Sequence, residues 1–171
     1  MQDVWALRII HLYTVTDGRM CMEGRERMKV PKKTTTSQLL TKIRQSSSFR
    51  GALEVYEQAD KITFSEYLYG LMEQRGLSAV DMIERTSINR SYFYAVLAGQ
   101  KIPLKNMILR ISLTLRCTLT ETNRLLRLAG LSALYPRVRR DAVLIYAVEK
   151  KATMQEANLL LEQAEEEPLY R

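Results

Sequence analysis

Histidine is almost missing from this chain: His11 stands alone among 171 residues, beside two cysteines, Cys21 and Cys117, far apart in sequence. With one histidine no zinc constellation is available. Two distant cysteines without a pairing pattern suit reduced thiols in the cytoplasm. Glycine and proline are also scarce, at seven and four, so a mostly helical chain is the default. No P-loop, no Gly-rich phosphate turn after a strand, no HExxH and no Ser or Cys motif joined to a His occurs. The expectation is a protein that is not an enzyme and has no metal or cofactor. The longest early apolar run, Val4 to Val15, contains Arg8 and His11 and is too short to cross a bilayer. It has no basic region before it and no small-residue cleavage site after it, unlike a secretory signal. A cytoplasmic location is expected.

Acid is missing from one place in particular. Between Glu84 and Glu121 there is no Asp or Glu, while Arg85, Arg90, Lys101, Lys105, Arg110 and Arg116 all fall there. The whole chain carries a net charge of +7. A basic window without acids is the electrostatic footprint that a polyphosphate partner needs.

What occupies that window is the stretch the rest of the chain is organised around, Gly76 to Pro103. Ser78 with Asp81 three residues on reads as a capped helix start, and Val80, Met82 and Ile83 are expected on its buried side. Thr86-Ser87-Ile88-Asn89 interrupts the helix, and Asn89 is a favoured cap for a second one ending near Ala98. Gly99 then stops that helix, and Pro103 is placed to open a third. Two short helices joined by a tight polar turn make a helix-turn-helix candidate.

In its motifs the stretch resembles the lambda-repressor/Cro (XRE-type) helix-turn-helix family, aligning without a gap from Gly76 through Leu115. The matching residues are Gly76-Leu77-Ser78, Met82-Ile83, Ile88-Asn89-Arg90-Ser91, Phe93, Val96, Gly99-Gln100-Lys101 and Pro103. The resemblance implies an all-α chain: a five-helix domain over 61–130, carrying a DNA recognition helix at about 89–98. In such proteins the first residues of that helix enter the major groove. Phe93, Val96 and Leu97 are expected inward, leaving Asn89, Arg90, Ser91 and Tyr94 for base contacts. Arg90 suits a guanine and Tyr94 a thymine methyl or a phosphate. Ser78, Gln100, Lys101 and Lys105 suit phosphates, which position without specifying. The alternative for Tyr92 and Tyr94 is core or a protein interface.

Outside the motif, residues 1–33 show neither helical nor strand periodicity. Either the first 27 residues are an extension with no packed role, or a short strand or helix, Val4 to Tyr13, docks on a partner or a second subunit. Residues 34–60 read as a helical arm, with helices at Thr36 to Gln45 and Phe49 to Gln58. Thr63 with Glu66 opens the main domain, Leu104 to Leu115 forms its fourth helix with Met107, Ile108, Ile111 and Leu115 on one face, and Thr118 with Glu121 opens the last, ending at Gly130.

The remaining residues, 131–171, repeat the unit before them. A shift of 35 lays residues 104–129 over 139–164 with seven of 26 positions identical, among them Thr118/Thr153, Glu121/Glu156, Asn123/Asn158 and Leu125/Leu160. A capping box in the same place in both copies predicts a second helical hairpin that shares the domain's core. Arg137, Arg139 and Arg140 crowd the start of its first helix, where the macrodipole disfavours cations. Asp141 or the run Glu165-Glu166-Glu167 is expected to pair with them, against the alternative of a second phosphate or acidic-partner contact.

The function implied is a homodimeric, sequence-specific regulator that binds double-stranded DNA, since one recognition helix reads few bases. The competing reading is a protein-interaction adaptor that keeps the fold without DNA, engaging a partner through its aromatic face, the N-terminal arm or the C-terminal hairpin. It draws on Ala79, where the family often has Gln, on Leu97, where many members have Glu, and on Tyr92 and Tyr94.

Overall fold

Four helices begin on the same device. In each, a Ser or Thr hydroxyl accepts the backbone N–H three residues on, and the acid there reaches back to the cap's own N–H: Thr63/Glu66, Ser78/Asp81, Thr118/Glu121 and Thr153/Glu156. Two otherwise unpaired N–H groups are satisfied at each start, and a carboxylate sits at the positive helix end. In a computed structural model, which describes residues 36–57 and 62–170, the described residues form helices and no strands. The chain is all-α.

The chain divides into two compact units, 1–62 and 63–171. In the first, α1 (Thr36–Gln45) packs on α2 (Phe49–Glu57). Both fall where the apolar spacing predicts, and they leave Leu40, Phe49, Leu53 and Tyr56 largely exposed. The readings of residues 1–33, Val4 to Tyr13 among them, lie outside the described residues.

The second unit holds α3 (Phe64–Gln74), α4 (Ala79–Thr86), α5 (Arg90–Leu97), α6 (Lys105–Thr114), α7 (Leu119–Leu128), α8 (Arg139–Glu149) and α9 (Met154–Gln163). One core joins them, from Phe64 through Phe93 and Ile108 to Leu161 and Leu169. The tail hairpin therefore shares the core, as the repeat predicts. Helix α6 is the centre of it: α4 and α7 lie against it, and so does α9. That is why Leu109 and Leu113 are buried as fully as Ile108 and Ile111, although the sequence suggests a single apolar face.

The repeat extends to backbone detail. Arg116 and Lys151 both take left-handed φ, at 53° and 55°. The N–H groups of Cys117 and Ala152 then bond the carbonyls of Ser112 and Ala147, the ring that closes a helix C-terminus. Asn123 Oδ1 accepts from Leu134 N–H at 2.9 Å, and Asn158 Oδ1 accepts from Leu169 N–H at 2.8 Å. Lys151 Nζ also donates to the carbonyls of Arg116 and Cys117.

Two expectations are corrected. Val80 is exposed, because it lies about 200° around the helix from Met82, whose side α4 buries together with Thr86. Asp141 does not serve the three arginines. Its Oδ1 takes Lys105 Nζ at 2.8 Å and its Oδ2 takes Tyr135 N–H at 3.1 Å. Arg140 donates instead to Asn106 Oδ1 at 3.1 Å, and Arg137 and Arg139 point to solvent. Among the described residues, neither forms an ion pair with Glu165, Glu166 or Glu167.

The caps make stability depend on acid. Hydrogen bonds from Ser78 hold the Asp81 carboxyl below its ordinary range, and the Thr153 N–H does the same for Glu156. At Glu121 burial pushes upward, but the Thr118 N–H and the Arg75 guanidinium outweigh it and the carboxyl again ends low. A carboxyl lowered in the folded state stabilises fully above its unfolded pKa, about 4, and loses that contribution as pH falls through the lowered values. The thermal midpoint, followed by circular dichroism, is expected to fall steadily as pH drops below about 4, and to fall less in Glu121→Gln. A profile flat down to pH 2 would contradict the capping account. Among the described residues, no helix is long and apolar enough to cross a membrane, and no His, Cys, Asp or Glu cluster is arranged to hold a metal ion.

Candidate nucleic-acid interface

The turn between α4 and α5 is fixed from inside. Thr86 is fully buried, and its hydroxyl donates to the Met82 carbonyl at 2.5 Å. Ser87 turns the chain through a left-handed conformation, φ 52° and ψ 32°. Ile88 drops into the core, and Asn89 Oδ1 accepts Tyr92 N–H at 3.1 Å to start α5. The Arg110 guanidinium, from α6, donates to the Thr86 carbonyl at the end of α4. Its other face lies 5.4 Å from the Tyr170 ring. The three-residue connection is thus clamped between the core and a cation.

Helix α5 buries Phe93 and Val96, with Leu97 packed beside them. At 100° per residue the opposite side is Ser91 and Ala95, a crest of two small side chains. A cation stands over a tyrosine on each flank. The Arg90 guanidinium is 5.8 Å from the Tyr94 ring, and Lys101 Nζ is 5.4 Å from the Tyr92 ring. Lys101 comes from beyond the helix. Gly99, at φ 73°, reverses the chain so that the N–H groups of Gln100 and Lys101 both bond the Ala95 carbonyl. Cation–π contact holds such side chains near the ring without cancelling their charge.

Asn89, Arg90, Ser91, Gln100 and Lys101 are all exposed and are brought together along one helix and the loop after it. Tyr94 is only half exposed, with its hydroxyl enclosed and without a hydrogen-bond partner. It faces α5's edge rather than its crest. Ser78 is exposed, but its hydroxyl is committed to Asp81 at 2.5 Å, which keeps an anion where a phosphate would sit. Lys105 is tied to Asp141. Of the six cations in the acid-free window, Lys105 and Arg110 are spent inside the fold, while Arg85, Arg90, Lys101 and Arg116 face solvent. Helical spacing does not place Tyr92 beneath Lys101; the sequence signal for that contact is the glycine turn after α5. No family model matches this chain, and neither a curated protein nor a solved structure matches it.

Proposed function

We propose that the chain is a cytoplasmic, sequence-specific double-stranded DNA-binding regulator of the lambda-repressor/Cro type, acting as a homodimer with α5 in the major groove. The observation that carries this reading is the crest of α5: Ser91 and Ala95 between Arg90 and Lys101. Small residues let a helix sink into a groove roughly 12 Å wide, and the flanking cations then meet base edges and backbone. Arg90, in the first turn, suits a guanine O6 and N7; Asn89 and Ser91 reach neighbouring bases. Gln100 and Lys101 suit phosphates. Selection from a pool of random duplexes tests the reading. Enrichment of two related half-sites about one helical turn apart is expected. No enrichment, together with no duplex binding at low salt, overturns it.

A second reading rests on Ile102 and Leu104, 62% and 71% exposed just after α5. They make an apolar margin after α5 that suits an adaptor gripping a protein. An adaptor's elution in size exclusion does not shift when duplex is added.

A further inference from the structure

The two repeated hairpins pair reciprocally. Helix α6 lies on α9 just as α7 lies on α8. Lys105 bonds Asp141 while Asn106 bonds Arg140, and in the 35-residue repeat positions 105 and 106 correspond to 140 and 141. Each contact is the exchange of the other, the signature of a local two-fold axis.

That symmetry leaves one face without its counterpart. The outer side of α6 and α7 is covered by α4 and α3, which bury Ile111, Leu115 and Leu125. There Glu121 Oε2, already capping α7, also receives Arg75 at 2.7 Å. The matching side of α8 and α9 carries Tyr146, Lys150 and Leu160 at those three positions, and with Glu156 and Leu159 they line an open groove. Tyr146 and Leu159 are 54% and 57% exposed. Glu156 caps α9 as Glu121 caps α7, yet among the described residues no cation bonds it. Arg116 acts on it only through space. Lys150 does no more than lean over the Tyr146 ring, at 5.7 Å.

We propose that this face is the docking surface for a second copy of the chain, the two related by a molecular two-fold. Lys150 of each copy meets Glu156 of the other, in the place Arg75 takes on Glu121. The face holds both halves of an ion pair and an apolar patch between them, so it complements itself. Arg75 and Lys150 are also alike in position, each the C-terminal cap of its helix. The inference rests on the homodimer in the reading above and gives it an interface. The groove is small, so association is expected to be weak in free solution, in roughly the micromolar range, and to tighten when two copies sit on one DNA.

Sedimentation of the full chain over a range of concentrations tests it. The unsubstituted chain is expected to dimerise, and Lys150→Glu and Glu156→Lys each to be monomeric. An equimolar mixture of the two recovers the dimer, because both contacts are then again between opposite charges. Glu156→Lys also disturbs a cap, so Leu159→Lys, at an exposed position, is the second variant: monomeric, with unchanged helix content and melting. A monomer up to about 100 µM, a dimer that survives every substitution, or a mixture that stays monomeric overturns the proposal. Duplex binding by the same chains separates the two ideas. Dimers broken by these substitutions in a chain that binds no DNA would leave the face standing and remove the regulator. DNA binding with dimers indifferent to Lys150 and Glu156 would do the reverse.

Discussion

Arg90→Ala is expected to leave a folded chain that still binds duplex DNA but discriminates poorly among sequences. The guanidinium is exposed and lies over the Tyr94 ring, so folding should be indifferent to its loss. A bidentate arginine–guanine contact is worth about 1–3 kcal/mol of discrimination, a factor of roughly 5 to 150. The preference for a selected site over a scrambled one should shrink by that factor, while binding to the scrambled duplex changes little. Lys101→Ala should behave differently, weakening all duplexes alike, since phosphate contacts carry no sequence. Lys105→Ala should do neither, because its charge is held by Asp141. Equal losses on selected and scrambled duplexes in Arg90→Ala would remove Arg90 from the base-reading role.

Asp141→Ala should cost the fold about 3 kcal/mol, near the lower end for breaking a buried ion pair. Asp141 is 5% exposed. Its two oxygens tie the start of α6, through Lys105, to the backbone of Tyr135 ahead of α8. Truncation strands a part-buried N–H and an ammonium together. The Lys105 side chain is 34% exposed, so water recovers part of its solvation and keeps the loss from the upper end. Asp141→Asn retains an acceptor for the Tyr135 N–H and should lose less. Urea unfolding reads both, as a lower midpoint with an unchanged slope. A loss under about 1 kcal/mol, ordinary for a surface pair, would mean the two hairpins are not joined here.

Helix starts were legible because the capping boxes are local: a hydroxyl and an acid three apart carry their own geometry. The second hairpin was legible through Thr153, Glu156 and Asn158, which copy Thr118, Glu121 and Asn123. What the repeat could not convey was how the copies face each other, since likeness of sequence is silent about reciprocal against serial packing. Lys105 is the same kind of case. Counted by type it belongs to the basic window, but its fate depends on Asp141, 36 residues away. The inward set of α5 followed from helical spacing at Phe93 and Val96. The half-turned Tyr94 and the Lys101–Tyr92 contact did not, because both depend on where the chain goes after Gly99. Single-face periodicity also misled at α6, whose neighbours on two sides bury Leu109 as well as Ile108.

Titration of a fluorescent duplex at several salt concentrations tests most directly whether the outer side of α5 is a DNA surface. Affinity should fall linearly with salt on logarithmic axes, and Lys101→Ala should show a slope shallower by about one counterion while Arg90→Ala keeps nearly the full slope. A chain that binds no duplex at the lowest salt, or whose slope ignores Lys101, would contradict the account.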